Sequence, residues 1–452
     1  MLSSPQFAPF AARMRAADLP ELFIETFASY YAQLVQGRTG LIAEADITPV
    51  ETLPDMETLP EELAAVGEGV LAKTAVIKLN GGLGTSMGLA QAKSLLPVRD
   101  GLSFLDIIAR QALQAGVPLM LMNSFATEAD SLALLRSYAG LESDLPLSFV
   151  QHKAPKVTQA DLTPASWPQD PQLEWCPPGH GDIYTALLTS GALAALRQAG
   201  YEYAFVSNAD NLGAVIDVTL LGYFAVNHFP FMMEVADRTE MDKKGGHLAQ
   251  RDGQFILRES AQCPADDRAQ FQNIARHQYF NTNNLWLHLP TLQQVLAERG
   301  NMLGLPMIRN AKTVDPRDGR STPVYQLETA MGSAIEVFAG AQAVRVPRTR
   351  FAPVKKTDDL LAVRSDAYVL TDAFHIEPRT LDGFVVALDG RYYKFISDLD
   401  ARFPYGPPSL VDCTHFSVTG DYKFGRNVIA QGEVRLVNET GQQIEIPDGA
   451  IL

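Results

Sequence analysis

The sequence predicts an α/β protein whose central domain has a mixed, largely parallel sheet, with a mostly helical segment before it and a β-rich domain after it. Residues 71–365 alternate short apolar strands with helical stretches, residues 1–70 show helical apolar spacing, and helical periodicity fades beyond residue 370. We therefore expect three parts, at 1–70, 71–365 and 366–452. A chain of 452 residues is long enough for two or three separate cores.

The N-terminal segment carries one apolar stripe. Phe23, Phe27, Tyr31 and Leu34 recur at spacings of three and four residues, which predicts an amphipathic helix opening near 19–22. Such a stripe is more often core-facing than a partner site, and nothing in residues 1–70 indicates chemistry.

The central domain is predicted from its strands and helices. The predicted strands are Ala75–Leu79, Leu119–Met122, Ser148–Val150 and Tyr203–Val206, and the predicted helices are Leu102–Ala115, Thr127–Tyr138 and Asp182–Arg197. In such sheets ligands bind beyond the carboxyl ends of the strands. Polar residues that follow these strands are therefore expected to form one site.

A glycine-rich loop, LNGGLGTSMGLAQAK at 79–93, follows the first strand. Glycine has no Cβ and tolerates positive φ, so several backbone N–H groups can converge on an anion. Two common phosphate loops do not match. Gly88 is followed by Leu89 where a Walker A loop needs lysine, and Met87 stands where a dinucleotide fingerprint needs its third glycine. The loop is predicted to bind phosphate in another way, with Lys93 lying beyond the glycines.

Further polar clusters follow along the chain. Gln151 comes directly after a predicted strand; its amide offers a donor and an acceptor, although a lone glutamine is usually a surface residue. PPGHGD at 177–182 places His180 between two glycines before a predicted helix, which Asp182 can cap and whose N-terminus favours an anion. SNADN at 207–211 offers a carboxylate suited to Mg²⁺, although such turns also occur without metal.

Composition excludes several classes of protein. The net charge of −15 argues against a general nucleic-acid binder, so an anionic substrate must be met by local lysines and backbone N–H groups. Three widely spaced cysteines form neither a disulfide framework nor a metal pattern, which favours a cytoplasmic compartment. No apolar run approaches the ~18 residues of a membrane span, and the N-terminus lacks the apolar core of a secretory signal.

In their order, these segments resemble the signature of UTP–glucose-1-phosphate uridylyltransferases. The resemblance covers about residues 75–365 and extends to KGG at 244–246, RESAQ at 258–262, NTNN at 281–284 and PVKK at 353–356. Family members often carry Lys-Gly-Pro before the loop lysine, whereas this chain has Ala90-Gln91-Ala92. The resemblance implies a Rossmann-like, GT-A-like nucleotidyltransferase domain.

The resemblance also implies roles for individual residues. Lys93 and Lys355 are the expected catalytic lysines, and Asp210 is the expected ligand of Mg²⁺. The expected nucleotide-binding residues are Leu79, Asn80, Gly81, Gly82, Gln151 and Gly179. The expected sugar-binding residues are His180, Asn208, Gly246, Glu259 and Asn283. Asn281 and Asn284 are expected to support the turn, and Thr357 or Asp358 to cap the helix after Lys355.

The reaction implied is UTP and glucose 1-phosphate giving UDP-glucose and pyrophosphate. The sugar phosphate is already an anionic nucleophile, so the enzyme must align it and neutralise charge rather than supply a strong base. Two alternatives remain open. One is a pyrophosphorylase for another UDP-sugar, such as a UDP-N-acetylhexosamine; Ser86-Met87, where the acetylglucosamine enzymes usually have arginine, favours glucose. The other is a catalytically silent nucleotide-sugar sensor of the same fold.

The C-terminal domain shows a different period. Apolar residues recur every six positions at Leu410, Phe416, Tyr422, Val428 and Val434, which predicts a left-handed parallel β-helix of a few coils, with a β-sandwich as the alternative. In related enzymes this module is structural and often packs subunits together. A homo-oligomer is therefore compatible with the sequence but not established by it.

Overall fold

The computed structural model describes residues 5–141, 144–379 and 384–452. Within these ranges the α-helices are α1 (Ala8–Ala16), α2 (Glu21–Val35), α3 (Glu62–Leu71), α4 (Phe104–Ala115), α5 (Glu128–Leu135), α6 (Ile183–Thr189), α7 (Ala192–Gln198), α8 (Val218–Val226), α9 (Arg268–Phe271), α10 (Leu289–Glu298), α11 (Thr357–Arg364) and α12 (Ile396–Arg402). The strands are β1 (Thr48–Pro49), β2 (Thr74–Asn80), β3 (Pro97–Arg99), β4 (Leu102–Ser103), β5 (Leu119–Asn123), β6 (Ser148–Val150), β7 (Ala154–Pro155), β8 (Val157–Thr158), β9 (Trp175–Cys176), β10 (Tyr203–Asn208), β11 (Phe231–Asp237), β12 (His247–Arg251), β13 (Gln254–Arg258), β14 (Tyr279–His288), β15 (Ile308–Thr313), β16 (Pro323–Glu328), β17 (Gln342–Arg345), β18 (Tyr368–Leu370), β19 (Ile376–Pro378), β20 (Val385–Leu388), β21 (Cys413–Thr419), β22 (Tyr422–Phe424), β23 (Gly432–Val437) and β24 (Ile444–Ile446).

A mixed sheet of ten strands forms the centre of the described chain. Its main path runs β1-β12-β14-β10-β2-β5-β6, and β11, β13 and β17 pair beside it. The strands β10, β2, β5 and β6 are mutually parallel, whereas β14 pairs antiparallel with β10, β11 and β12. The mixed sheet is confirmed, but it is parallel mainly in the half that carries the glycine loop. The other half is largely antiparallel.

The four predicted strands are confirmed as β2, β5, β6 and β10. The prediction of one helix over Asp182–Arg197 is wrong, because the chain forms α6 and α7 instead. Gly191, between them, has a φ of 78°. This left-handed conformation, which glycine adopts readily, ends the first helix and starts the second.

The sheet packs helices on both faces. Ala75 and Ile77 on β2 face a core with α6, α7 and α10, whereas Val76 faces a core with α4, α11 and the C-terminal strands. This alternation is the pleat of a strand buried on both sides. The second core is continuous with the C-terminal domain.

The N-terminal helices form a smaller core. Phe23, Phe27, Tyr31 and Leu34 are all buried, so the predicted stripe on α2 is confirmed as core-facing. No helix in the described ranges is long and apolar enough to cross a membrane; the longest among them, α2, has 15 residues.

The C-terminal strands pair in parallel across successive turns of the chain. β21 lies between β20 and β23, and β22 pairs with β24. Isolated parallel bridges join Ser409 to Ile429 and Ile429 to Ile451. The five apolar residues that recur every six positions are all buried, at Leu410, Phe416, Tyr422, Val428 and Val434. All five therefore face one core, which lies inside the parallel C-terminal strands and the segments between them.

Candidate active site

The glycine loop leaves the carboxyl end of β2 and folds back on itself. Gly84 and Gly88 have φ values of 43° and 80°, a region in which other residues are strained. The N–H of Lys93 donates to the Gly82 carbonyl over 3.0 Å, which returns the lysine to the strand end. A Cβ on Gly82 would meet no atom within 4 Å, so the backbone there borders open space.

Lys93 lies beside Asp210. Its Nζ donates to Asp210 Oδ2 over 2.7 Å, joining the glycine loop to the loop after β10. The other carboxylate oxygen, Oδ1, is buried and has no hydrogen-bond partner among the described residues. An unsatisfied buried oxygen fits a cation ligand. Within the described ranges no three His, Cys, Asp or Glu side chains gather as a metal cage, so a metal here would depend on one carboxylate and on substrate oxygens.

The segment that leads to Lys355 is docked against this same loop. The N–H of Val354 donates to the Asp210 carbonyl over 3.0 Å. Asn211 holds the segment a second time: its Oδ1 accepts from the N–H of Ala352, and its Nδ2 donates to the Arg350 carbonyl, each over 3.0 Å. Lys355 itself is exposed; its ammonium group lies 5.9 Å from the centroid of the Phe351 ring, and the docked backbone of the segment sets where the side chain emerges.

Gln151 packs against the glycine loop, and Gly179 packs against the chain directly after β16. A Cβ on Gly81 would lie 2.7 Å from Gln151 Nε2, so the two residues are in direct contact. Gly179 has a φ of 81° and approaches Thr329 so closely that a Cβ would lie 2.3 Å from its carbonyl oxygen. Gly179 therefore requires the absence of a side chain, whereas a Cβ at Gly81 would displace the Gln151 amide.

Leu79 and Asn80, which end β2, contribute differently. The Leu79 carbonyl accepts from the N–H of Ala209 over 3.0 Å, which ties β2 to the loop after β10. The Asn80 amide is buried and donates to Asn123 Oδ1 and Ser131 Oγ over 2.7 and 2.8 Å. The Asn80 side chain thus supports the loop from below.

His180 is held as a neutral ring. The N–H of Met331 donates to His180 Nδ1 over 2.9 Å, so the ring proton resides on Nε2. Burial lowers the pKa of His180 to about 4, and the ring is therefore an uncharged donor near neutral pH. The prediction that Asp182 caps the following helix is wrong: its side chain makes no cap and instead accepts from His152.

Gly246 and Glu259 meet at the antiparallel side of the sheet. A Cβ on Gly246 would lie 2.7 Å from both carboxylate oxygens of Glu259. Burial raises the pKa of Glu259 to about 7, and the positive charge of Lys355 opposes this rise. Lys355 and Glu259 therefore belong to one electrostatic environment.

Asn208 is the last residue of β10. Its backbone carbonyl accepts a hydrogen bond from the N–H of Asn211 over 3.2 Å.

Asn283 projects from a bulge in β14. Its φ is 60°, and the register with β11 shifts at this point. Bulges of this kind redirect a side chain at sheet edges and active sites. Asn281 exchanges two hydrogen bonds with Asn283, each of 2.9 Å, and the Asn284 amide donates to Glu234 over 3.0 Å. The segment is part of β14 rather than a turn: Asn281 supports the local bend as predicted, whereas Asn284 binds the neighbouring strand instead.

Known proteins match the chain over nearly its whole length. A family model described as UTP–glucose-1-phosphate uridylyltransferase matches residues 22–431. The UTP–glucose-1-phosphate uridylyltransferase of Saccharomyces cerevisiae is 42% identical, with 98% of this chain and 89% of that protein covered. The enzyme of the same name from Solanum tuberosum is 38% identical, with coverage of 92% and 88%.

The chain belongs to the UTP–glucose-1-phosphate uridylyltransferase family.

Solved structures agree with this assignment. A single-residue variant of UDP-glucose pyrophosphorylase from Leishmania major, in complex with UDP-glucose, superposes with a TM-score of 0.91 at 44% identity, covering 99% of this chain and 98% of that one. A Trypanosoma brucei protein described as UDP-glucose phosphorylase gives a TM-score of 0.89 at 43% identity, with the same coverage.

The sequence analysis of this uridylyltransferase family member missed a buried polar cluster, which lies beneath the site. Glu234 accepts two hydrogen bonds from the Arg350 guanidinium, over 2.8 and 2.7 Å, and one from Trp286 Nε1 over 2.9 Å. The signal was present in the sequence, because Glu234 is the lone charge in the apolar run 231–236. A charge buried in such a strand requires a partner.

Lys78 is a second missed residue. It stands in the apolar strand before the glycine loop, and its Nζ donates to Ser207 Oγ over 2.7 Å and to the Ala214 carbonyl over 2.6 Å. Burial lowers its pKa to about 7, with the nearby Arg350 guanidinium acting in the same direction. Lys78 thus braces β2 against β10 from inside the sheet.

The cap predicted for the helix after Lys355 is wrong. Neither Thr357 nor Asp358 is the N-cap residue, which is Lys356. Asp359 instead accepts from the N–H groups of Lys355 and Lys356, over 2.7 and 2.9 Å. The Thr357 hydroxyl donates to the Tyr393 carbonyl of the C-terminal domain.

Proposed function

We propose that this chain catalyses the formation of UDP-glucose and pyrophosphate from UTP and glucose 1-phosphate. Membership of the family gives the reaction class. The observation that carries the proposal is the convergence of three charged residues. Lys93 pairs with Asp210 over 2.7 Å, and the backbone of Asp210 bonds the residue directly before Lys355.

Two lysines neutralise phosphate charge, and one neutral histidine positions the sugar phosphate. Lys93, at the end of the glycine loop, binds the phosphates that leave as pyrophosphate. Lys355 stabilises the negative charge that develops on the α-phosphoryl oxygens during transfer. His180 donates its Nε2 proton to the sugar phosphate and stays uncharged, so it positions that group without adding a full charge.

A single carboxylate is offered to a metal ion. Asp210 would hold Mg²⁺ through the buried oxygen that lacks a protein partner. When bound, Mg²⁺ supplies Lewis-acid neutralisation of phosphate oxygens. The protein residues then align the sugar phosphate for in-line attack, which is the larger part of phosphoryl-transfer catalysis.

Recognition of the two substrates uses different chemistry. Gln151, with a donor and an acceptor, reads the uracil edge, and Leu79–Gly82 and Gly179 let the nucleotide approach the backbone closely. Glu259, Asn283, Asn208 and Gly246 form the hexose side, where a carboxylate and amides match sugar hydroxyls.

A coupled assay tests the proposal. Purified protein is incubated with UTP, Mg²⁺ and a panel of sugar 1-phosphates (glucose, galactose and N-acetylglucosamine), and pyrophosphate release is measured. We expect turnover fastest with glucose 1-phosphate and abolished by a chelator. A preference for N-acetylglucosamine would reassign the sugar, and binding of UTP without turnover of any sugar would indicate a sensor.

We further infer that residues 366–452 fold as a left-handed parallel β-helix. Parallel pairing of Phe416 with Val434, and of Ser409 with Ile429 and Ile429 with Ile451, supports successive coils about 20 residues long. A homo-oligomer joined through this module is the associated hypothesis. Sedimentation analysis of the full chain would show a concentration-dependent mass if the module associates, and a monomer mass throughout if it does not.

A further inference from the structure

Asp182 connects two loops that the proposed function places at the nucleotide base. Its own N–H donates to the Gly179 carbonyl over 3.2 Å. Its Oδ2 accepts from the backbone N–H of His152 over 2.7 Å. The peptide group that carries this N–H is the one that follows Gln151. Asp182 therefore bonds the Gly179 carbonyl through its backbone and the peptide group after Gln151 through its side chain.

The His152 ring strengthens this link. Its Nδ1 lies 2.9 Å from Asp182 Oδ1, and because a carboxylate only accepts, Nδ1 is the donor. Its Nε2 lies 3.1 Å from the Thr189 hydroxyl on α6. The His152 and Asp182 side chains are only 7% and 1% exposed, so neither can touch substrate. His152 and Asp182 can therefore act only by holding other residues in position.

The N-terminal helices cover this pair. Phe23 on α2 stacks on the His152 ring, with centroids 4.3 Å apart and planes 11° from parallel. Phe23 is itself buried in the N-terminal core. This contact connects a segment in which the sequence shows no chemistry to the loop that carries Gln151.

Gln151 is left with little freedom. Its N–H donates to the Asn123 carbonyl over 2.8 Å, and the next N–H is fixed by Asp182. Its amide lies against Gly81, where a Cβ would lie 2.7 Å from Nε2 and would displace it. N–H···O hydrogen bonds fall within about 2.7–3.2 Å and weaken steeply at angles below about 120°, so a small shift of this peptide would cost contacts to the base.

We propose that Asp182 and His152 are a positioning pair whose side chains hold the Gln151 peptide in register with the loop that carries Gly179 and thereby set UTP affinity and base selectivity. This rests on the proposed function, in which Gln151 and Gly179 contact uracil. Loss of the pair frees the Gln151 peptide and weakens UTP binding, whereas the chemistry at Lys355 is unaffected.

The test compares Asp182→Leu, Asp182→Asn and Asp106→Asn. Asp182→Leu removes both acceptors, and we expect KM for UTP to rise about tenfold, the loss of one good hydrogen bond, with kcat and KM for glucose 1-phosphate changed less than threefold. We expect the preference for UTP over CTP to fall together with the affinity for UTP. Asp182→Asn keeps one acceptor for the His152 N–H, and we expect it to retain most of the affinity for UTP.

Asp106 is the matched control, because it is a helix-capping carboxylate bonded to Ser103 and Tyr138. We expect Asp106→Asn to lower Tm without changing KM for UTP.

A double-mutant cycle with Gln151→Ala decides whether Asp182 acts through Gln151. We expect the Asp182→Leu effect on KM for UTP to vanish in the Gln151→Ala background. Independent, multiplying effects, or a lower Tm with unchanged KM, would overturn the proposal. If Asp182→Leu does not fold, His152→Leu takes its place in the cycle, with a rise of about threefold expected.

Calorimetric titration with UTP keeps this proposal distinct from the proposed function. If the wild-type chain binds UTP but turns over no sugar phosphate, the reaction is reassigned, yet the weaker UTP binding of Asp182→Leu still supports the positioning role. Equal UTP binding by both proteins overturns the positioning role even if turnover is normal.

Discussion

The two sides of the site are held in different ways. On the nucleotide side, the glycine loop, Gln151 and Asp210 follow the parallel strands β2, β6 and β10; backbone contacts hold the loop, and the buried Asp182–His152 pair holds the Gln151 peptide. On the sugar side, Glu259 and Asn283 follow or interrupt antiparallel strands. That side and the Lys355 segment depend on a buried side-chain cluster around Glu234 and Arg350.

This difference predicts different sensitivity to mutation. A segment held by backbone contacts, such as the glycine loop, tolerates changes in surrounding side chains but not an added Cβ where it is in close contact with its neighbours. A site that depends on buried polar groups loses its geometry when one partner is removed, because the remaining group is left unsatisfied. Substitutions on one side should therefore leave the other side's substrate affinity intact.

The largest effect is expected at Lys355, where the two sides meet. Lys355→Ala should lower kcat by a factor of about 10²–10³, because it removes charge stabilisation present only during transfer. Both KM values should change less than threefold. Initial rates of pyrophosphate release measure this, and Lys356→Ala is the matched control, expected to retain nearly full kcat. An unimpaired kcat for Lys355→Ala would remove this lysine from the mechanism.

A smaller but selective loss is expected when the Asn211 contacts are removed. Asn211→Leu leaves the Ala352 N–H without an acceptor. It therefore releases the segment that leads to Lys355 from the loop after β10, which carries Asp210. We expect kcat to fall about 10- to 100-fold and the free energy of unfolding to fall by about 1–3 kcal/mol. Calorimetric UTP affinity should stay unchanged. Asn227→Leu, at an exposed asparagine on the surface of the same domain, serves as control; parallel losses of UTP affinity and kcat would contradict the separation of the two sides.

The same contrast decides how much could be predicted from sequence. Gly81, Gln151 and Asp210 could be placed together because carboxyl ends of neighbouring parallel strands meet at one edge. The bulge at Asn283 and the Glu234–Arg350 pair could not, since antiparallel register and buried partners depend on tertiary packing. The two cap predictions failed for a related reason. Asp182 and Thr357 have local cap propensity, but distant partners at His152 and Tyr393 bind them instead.

Adding one methyl group to the glycine loop tests the nucleotide side. Gly81→Ala places a methyl group 2.7 Å from Gln151 Nε2 and must displace that amide. We expect KM for UTP to rise about tenfold, while KM for glucose 1-phosphate stays within twofold. Gly69→Ala is the matched control: its Cβ would meet no atom within 4 Å, and alanine favours the helix there, so KM values should not change and Tm should not fall. A rise in both KM values would show that the two subsites are not separable.

The smallest effect concerns the pH dependence of the sugar side. The pKa of Glu259 is raised to about 7, so its carboxyl is protonated below that pH and is a weaker acceptor for hexose hydroxyls. Wild-type KM for glucose 1-phosphate should therefore rise a few-fold from pH 8 to pH 6, and Glu259→Gln should flatten that part of the profile. The difference between the two proteins isolates Glu259 from titration of the substrate phosphate.

The stability of the same variant provides an independent check with a definite sign. A carboxyl whose pKa is higher in the folded state lowers stability as pH rises from about 4.5 to about 7, because the unfolded chain releases that proton first. Glu259→Gln should thus raise Tm relative to wild type at pH 8 and lose this advantage at pH 4. A Tm difference that is the same at both pH values would show that Glu259 ionises normally in the fold, and the pH dependence of the sugar side would then require another group.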